Sequence, residues 1–196
     1  MTFFDFDEFF YMHDNDKKLN LREFLSNERY NKCEALIFNW LIYDDNDLVH
    51  YDKRPLLKRF TRADFNNPDN VIVKTIVKGN LDIPIFEPNK SNHVPMQNLT
   101  ICDSKGEKIR LYNPFSIRPV NFDYAYVIHL STKTAEEYVE KTKRGKTRNF
   151  AEPIEKRIKL FFRYNKFTEE KFKIFEDKFQ KTLKREDYIN IYKKYS

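Results

Sequence analysis

The stretch FFDFDEFFYM, residues 3–12, decides the fold that we expect for this chain. Its phenylalanines predict a buried strand, and Asp5 and Asp7 lie one residue apart where that strand reaches the surface. Side chains alternate along a strand, so both carboxylates point to the same side and converge on one cation. Mg²⁺ and Mn²⁺ take one or two protein carboxylates and complete their shell with water and phosphate oxygens. The pattern is typical of a nucleotide-sugar site, and equally of a solvated strand end followed by a turn.

The composition indicates a globular chain. It has 196 residues, of which 16% are aromatic and 34% charged, and a mean hydropathy of −0.77. That length suffices for one domain with a sizeable core, or for a domain plus an appendage. No apolar run approaches the roughly 18 residues that would span a bilayer. Cys33 and Cys102 lack metal-binding spacing, so we interpret them as free thiols in a reducing cytoplasm.

The net charge of +6 is unevenly distributed. Residues 141–196 carry 18 Lys and Arg against 8 Asp and Glu, whereas residues 1–140 carry 18 against 22. The tail is therefore +10 and the body −4, and a basic tail predicts a polyanionic neighbour, either an anionic membrane surface or nucleic acid. A lysine-rich, solvated helical face has the same composition.

The rest of the chain alternates between strand and helix patterns. Strands are predicted over the apolar stretches 34–47, 70–79 and 124–130, the first of them buried on both faces. Residues 20–30 form a predicted helix with Asn20 and Glu23 as a capping box, and Thr134 with Glu137 begins another. Two further helices are expected, after Pro153 and after Thr168, and residues 80–120 are expected to form loop and short strand. The pattern predicts an α/β fold with a C-terminal helical segment.

Five stretches, in one order, resemble a known family. These are FFDFDEFF, NWLIYDDN, KRFTR, VKTIV and VIHLSTKTAEEYVEKTKRG. In this order they resemble the family-two-like bacterial glycosyltransferases of the GT-A fold and the related family-92 enzymes. The resemblance covers residues 1–148 and implies a partial GT-A-like mixed sheet with flanking helices, followed by a basic helical tail over residues 149–196.

The resemblance also implies metal ligands. Asp5 and Asp7 correspond to the family's metal and nucleotide-sugar carboxylates, with Asp7 the direct ligand and Asp5 nearer the ribose or a metal-bound water. His129 corresponds to a late histidine near the diphosphate and the metal, although a histidine in an apolar strand is also a common core residue. We therefore expect Mn²⁺ or Mg²⁺ as cofactor.

Other residues are implied contacts of donor and acceptor. Arg59, Lys74 and Lys133 are candidates to stabilise the leaving diphosphate, unless they are ordinary surface charges. Trp40 is the candidate sugar platform on the acceptor side, although a lone tryptophan in an apolar strand usually packs in the core. Where the family has glycine and small residues after Asn-Trp, this chain has acidic residues, and we expect Asp45 to act as the catalytic base.

We therefore expect a metal-dependent transferase that moves a sugar from a nucleotide-diphosphate donor to a cell-surface glycan or lipid-linked acceptor. It would work in the cytoplasm, with the tail holding it against the inner membrane face. The alternative is a non-enzymatic nucleic-acid-binding or adaptor protein that uses the basic, Tyr-rich tail. A metal-dependent phosphoesterase or nuclease is a third reading, but the chain lacks a dense cluster of Asp, Glu and His.

The resemblance also predicts a missing part. In the GT-A fold a nucleotide-binding half precedes the Asp-x-Asp strand, and in this sequence that strand stands at the start. We expect the uncovered strand edge and sheet face to pair with that half or with a second copy of the chain. The lone chain would bind metal and diphosphate weakly and turn over slowly.

Overall fold

A computed structural model describes residues 2, 4–13, 19–79, 81, 99–109, 116–144 and 153–191. By its contacts the chain divides into two compact units. The first comprises Met1–Leu41 and Pro68–His129, and the second comprises Ile42–Asn67 and Leu130–Ser196. The expected boundary after residue 148 lies outside the described residues, and the division at that point stays a prediction.

The chain is a mixed α/β protein with a six-stranded mixed sheet and flanking helices. The strands of the described residues are β1 (Glu8–Met12), β2 (Ala35–Tyr43), β3 (Ala63–Asp64), β4 (Val73–Val77), β5 (Ile101–Cys102) and β6 (Ala125–His129). Strand order is β1-β6-β2-β3, and β4 and β5 also pair with β2. β1 is antiparallel to β6, β3 and β4 are antiparallel to β2, and β5 is parallel to β2.

The helices are α1 (Leu21–Leu25), α2 (Leu56–Arg59), α3 (Ala135–Lys143), α4 (Ile154–Tyr164) and α5 (Glu169–Phe179). Both predicted capping boxes form, Asn20 with Glu23 and Thr134 with Glu137. Thr168 caps α5 as predicted, since its side chain accepts a hydrogen bond from the Lys171 amide. The first helix is shorter than the predicted 20–30, because α1 stops at Leu25 and a separate 3₁₀ turn follows over Glu28–Tyr30. No helix among the described residues is long and apolar enough to cross a membrane.

Strand β2 confirms the prediction of a strand buried on both faces. Seven of its nine residues are buried, and only Trp40 and Tyr43 are partly exposed. β4 is buried throughout, although its sequence alternates apolar residues with Lys74 and Thr75. Most of residues 80–120, predicted as loop and short strand, lies outside the described residues.

Strand β1 corrects the expectation for the opening stretch. The described strand begins at Glu8, so Asp5 and Asp7 precede it instead of following it. A turn holds the two acidic residues, because the Glu8 amide donates to the Asp5 carbonyl and the Asp5 amide donates to Glu8 Oε2. The aromatic residues that build the sheet, including Phe10, therefore come after the acidic pair.

The interpretation of the cysteines as free thiols is wrong. Cys33 and Cys102 form a disulfide with their Cα atoms 5.8 Å apart, across 69 positions of sequence. Both side chains are buried, and β5 pairs with β2 at the same place. Because the pairing depends on how β2 and β5 come together, it cannot be read from the spacing of the two cysteines.

Each unit has its own apolar core. In the first, one cluster including Phe24, Phe38 and Val127 packs on one face of the sheet, and another including Ile37 and Val73 packs on the opposite face. In the second, the core is formed mainly by helices α3, α4 and α5; it contains Ala135, Tyr138, Val139, Ile158, Phe161, Phe162, Phe172, Phe175, Leu183 and Tyr188.

Candidate functional site at one end of the sheet

Four strands bring polar side chains to one end of the sheet in the first unit. Glu8 opens β1 and lies opposite His129, the last residue of β6, so both side chains stand on the same face. On β2, Phe38 lies opposite Lys74 of β4, and Trp40 follows two residues later on the same face. The remainder of this face carries the apolar cluster that contains Phe38 and Val127. We call Asp5, Glu8, Trp40, Lys74 and His129 the sheet-end cluster.

The charged part of the cluster is a buried ion-pair network. Lys74 Nζ lies 3.0 Å from Glu8 Oε2 and 3.1 Å from Asp5 Oδ2. The Lys74 and Glu8 side chains are 4% and 0% exposed, whereas that of Asp5 is 71% exposed. Burial raises the pKa of Glu8, against the opposing effects of the Asp5 amide and the Lys74 ammonium. Two carboxylates and one ammonium leave the network with a net charge of −1 when all three are ionised, and only Asp5 faces solvent.

The aromatic part of the cluster joins two predicted residues. The rings of Trp40 and His129 lie with their centroids 3.9 Å apart. His129 is 8% exposed and Trp40 is partly buried, so the pair sits at the boundary between the apolar core and the polar end of the sheet. Five residues that sequence reasoning singled out at separate places, Asp5, Asp7, Trp40, Lys74 and His129, thus belong to one unit, and four of them to one cluster.

The surroundings of Lys74 and Asp5 differ from the expectation. Lys74 is buried and forms ion pairs with two carboxylates, so its ammonium is not presented to a leaving diphosphate. Asp5 pairs with that ammonium, so a cation at Asp5 would have to compete with Lys74. Asp7, directly before Glu8, is partly exposed.

Arg59 has a structural role in the second unit. Its side chain is 3% exposed, and its two terminal nitrogens lie 2.7 and 3.0 Å from the carboxylate oxygens of Glu137. The Glu137 carboxylate also accepts a hydrogen bond from the Thr134 hydroxyl at the start of α3. Arg59 therefore ties α2 to the first turn of α3, and its expected contact with a diphosphate does not fit this burial.

Asp45 is also an interior residue of the second unit. Its side chain is fully buried with Oδ2 2.6 Å from Lys171 Nζ, and its amide donates to Asn165 Oδ1 at 2.8 Å. Burial raises the pKa of Asp45 to about 6, although the Lys171 ammonium opposes the shift. A raised pKa suits a general base, but a base must reach the acceptor hydroxyl. We therefore do not retain Asp45 as the catalytic base.

Lys133 lies immediately ahead of the Thr134 cap of α3. Its backbone is left-handed, with φ of 57°, and its side chain is partly exposed. It belongs to the second unit, whereas the sheet-end cluster belongs to the first. The contact of Lys133 with a diphosphate remains a prediction.

The structure limits which side chains could hold a metal ion. Within the described residues, no group of three or more His, Cys, Asp and Glu side chains is arranged to hold a metal ion. Asp7 and His129, which the resemblance assigns to the metal, are the candidate ligands, whereas Asp5 and Glu8 form ion pairs with Lys74. A carboxylate and an imidazole suit Mn²⁺, and an ion that is held largely by substrate phosphates needs only one or two protein ligands.

Glu8 is the residue of the cluster that sequence reasoning missed. Its Oε1 is buried with no hydrogen-bond partner among the described residues, and its Oε2 accepts a hydrogen bond from the Asp5 amide and pairs with the Lys74 ammonium. The signal was present in β4, because a lysine inside the strand VKTIV needs a buried carboxylate nearby. Glu8, between two phenylalanine runs, is such a carboxylate.

Comparison of the chain with models of protein families, with curated proteins and with solved structures finds no match.

Proposed function

We propose that this chain has the activity of a metal-dependent glycosyltransferase of GT-A-like fold, which moves a sugar from a nucleotide-diphosphate donor to a cell-surface glycan or lipid-linked acceptor. One observation carries the proposal. Asp5, Trp40 and His129, which the resemblance assigns to donor, acceptor and metal, meet at one end of one sheet in the first unit, where the buried Lys74 pairs with Asp5. Ligands in α/β sheets commonly bind at strand ends of this kind.

Each residue of the proposed site has a separate role. The buried Glu8 and Lys74 hold the turn that carries Asp5 and Asp7, because Glu8 binds both the Asp5 amide and the Lys74 ammonium. Asp7 and His129 would hold Mn²⁺ or Mg²⁺, and the bound ion would supply positive charge to the leaving diphosphate. Asp5, the exposed carboxylate, would accept hydrogen bonds from the donor's ribose. The Trp40 ring, beside His129, would stack against the acceptor sugar.

The cellular location is part of the proposal. The cytoplasm holds the nucleotide-sugar pool that such a donor requires, and the basic tail would hold the enzyme at the inner membrane face. The argument from free cysteines no longer supports this location, since Cys33 and Cys102 are joined and disulfides are typical of oxidising compartments.

Nucleic-acid binding by the tail has less support. That alternative needs exposed aromatic rings for base stacking among the basic residues. In the described part of the tail, Phe161, Phe162, Tyr164, Phe172, Phe175 and Tyr188 are buried. In this described part of the tail, these six rings are therefore not available for base stacking beside the basic residues.

A screen of nucleotide sugars for thermal stabilisation, with and without Mn²⁺, tests the proposal. We expect at least one donor to raise the melting temperature only when Mn²⁺ is present, because metal and diphosphate bind together. His129→Gln should abolish this joint shift, and His50→Gln, which alters an exposed histidine of the second unit, should leave it intact. A panel without any Mn²⁺-dependent shift, or an unchanged shift in His129→Gln, would contradict the proposed site.

A further inference from the structure

A groove opens at the opposite end of β1 and β6 from the sheet-end cluster. It has a volume of about 470 Å³ and is lined by residues of the segments 103–109 and 117–123. A second hollow of about 540 Å³ shares Lys105, Glu107 and Asp123 with it and continues to His13 and Tyr124. Volumes of this size are typical of ligand sites. The length of β1, about 13 Å, separates this groove from the Glu8 end of the strand.

A row of exposed and partly buried aromatic rings continues from the groove along the sheet. Tyr11 and Tyr126 are cross-strand partners on one face, with ring centroids 4.9 Å apart. Phe122 packs on Tyr126 at 5.7 Å, and His13 lies 5.9 Å from Tyr11. Tyr11 is 44% exposed and His13 is exposed, while Phe122 and Tyr126 are partly buried. The row offers flat apolar surfaces beside a polar hollow, and we call the two together the aromatic groove.

The floor of the aromatic groove is fixed by a buried hydrogen-bond network. Asp103 Oδ1 accepts the amides of Lys105 and Glu107 at 2.9 and 3.0 Å, and its Oδ2 accepts Asn121 Nδ2 at 2.6 Å. The Asn121 amide donates to the buried Asn39 of β2. Both segments of the groove are thus held before any ligand arrives, which reduces the entropic cost of binding.

Gly106 fixes the shape of the turn in this floor. Its φ is +81°, and a Cβ at this position would collide with the Arg29 carbonyl. The turn therefore packs against the chain around Arg29, and only glycine fits without a shift. The Cys33–Cys102 disulfide anchors the segment immediately before Asp103.

The chemistry of the groove matches a carbohydrate. A pyranose ring has an apolar C–H face, which packs on aromatic rings, and a rim of hydroxyls, which bind carboxylate, amide and ammonium groups. The charged lining residues are Lys105 and Arg118 against Asp103, Glu107 and Asp123, a net charge of −1. A negative lining disfavours nucleic acid and other polyanions.

We propose that the aromatic groove binds a neutral oligosaccharide, with a sugar ring stacked on the exposed ring of Tyr11. The identification of this sugar chain with the distal part of the acceptor rests on the proposed function. The binding itself does not, since the groove is separate from the sheet-end cluster and needs neither nucleotide nor metal.

Calorimetric titration of the full chain with neutral hexasaccharides, without nucleotide or metal, tests this inference. The panel contains α- and β-linked glucose, mannose, galactose and N-acetylglucosamine oligomers. We expect at least one to bind, and Tyr11→Ala to weaken it roughly tenfold through loss of one stacking surface. Tyr51→Ala, which removes a more exposed tyrosine ring from the second unit, is the matched control and should leave the affinity unchanged.

Two results would overturn the inference. One is the failure of every hexasaccharide to bind. The other is binding that Tyr11→Ala does not weaken, or tighter binding of a heparin-derived hexasaccharide or of a single-stranded oligonucleotide that depends on Tyr11. The titration contains no nucleotide-sugar donor. If no hexasaccharide binds, the proposed sugar transfer is still tested by the donor screen. If no donor binds, a measured hexasaccharide affinity still supports the aromatic groove.

Discussion

At the scale of single residues, two lysines are almost completely withdrawn from water. Lys74 in the first unit is 4% exposed, and Lys171 in the second is fully buried. Each is neutralised by carboxylates, Lys74 by Glu8 and Asp5, and Lys171 by Asp45. Loss of one partner from such a pair costs far more than loss of both, because the remaining charge stays buried.

The Asp45–Lys171 pair gives the first prediction. We expect Asp45→Asn to lower the free energy of unfolding by about 3–5 kcal/mol, since the buried ammonium loses its counter-charge. The double variant with Lys171→Met should lose less than Asp45→Asn alone, because neither charge then remains. Lys173→Met alters an exposed lysine of the same helix and should stay within about 0.5 kcal/mol of wild type.

Urea unfolding at neutral pH measures these differences. An Asp45→Asn variant with the same free energy of unfolding as wild type would contradict the structural role that we assign to Asp45. It would then favour a functional role for this carboxylate.

At the scale of elements, the salt bridge between Arg59 and Glu137 predicts a pH dependence. Burial acts to raise the pKa of Glu137, but the hydrogen bonds from Arg59 and Thr134 outweigh it and hold the pKa below its usual value of 4.5. A carboxyl whose pKa is lowered by folding stabilises the protein above that usual value, and this stabilisation is lost as the pH falls through the folded-state pKa.

We therefore expect wild type to lose thermal stability below about pH 4.5 more steeply than Glu137→Gln, which cannot titrate at this position. At neutral pH the variant should melt at a lower temperature, because Arg59 is left buried without its partner. Melting temperatures from pH 3 to 7 measure both effects. Glu140→Gln, at an exposed position of the same helix, should follow wild type, and an equal pH slope in Glu137→Gln would refute the prediction.

The disulfide between Cys33, which lies just before β2, and Cys102 of β5 gives a further prediction about stability. Its 69-residue separation corresponds to a contribution of about 4 kcal/mol to the free energy of unfolding, through restriction of the unfolded chain. We expect the double variant Cys33→Ser with Cys102→Ser to unfold at lower urea concentration, and dithiothreitol to lower the midpoint of wild type only. Titration of two free thiols in native protein kept without reductant would show that the link does not form.

Local sequence signals predict the helix starts, because a capping box involves residues only three positions apart, as in Asn20–Glu23 and Thr134–Glu137. They also predict β2, whose mostly apolar run is typical of a strand buried on both faces. They did not give the partner of Asp45, since Lys171 lies over 120 positions away and its place in an amphipathic helix resembles a surface position. The order of the acidic pair and β1 was misread because phenylalanines stand on both sides of Asp5 and Asp7.

At the scale of the whole molecule, helices α4 and α5 belong to a core. They supply Ile158, Phe161, Phe162, Phe172 and Phe175 to the cluster around Tyr138 and Val139 of α3. The expectation that residues 149–196 act mainly on localisation therefore needs a direct test.

We expect a chain that ends at residue 148 to aggregate or lose cooperative melting, because the apolar face of α3 is left uncovered. Size-exclusion chromatography and melting curves, compared with the full chain, measure this. A monomeric, cooperatively melting truncation would support an independent tail instead.

In the proposed function, Asp7 and the sheet-end cluster form a site for a metal-bound nucleoside diphosphate. Calorimetric titration of the full chain with uridine and guanosine diphosphates in the presence of Mn²⁺ measures this binding. We expect binding that requires Mn²⁺, falls at least tenfold in Asp7→Asn, and is unchanged in Asp177→Asn, an exposed aspartate of α5 in the second unit. Equal affinity in wild type and Asp7→Asn, or no Mn²⁺-dependent binding of either diphosphate, would contradict it.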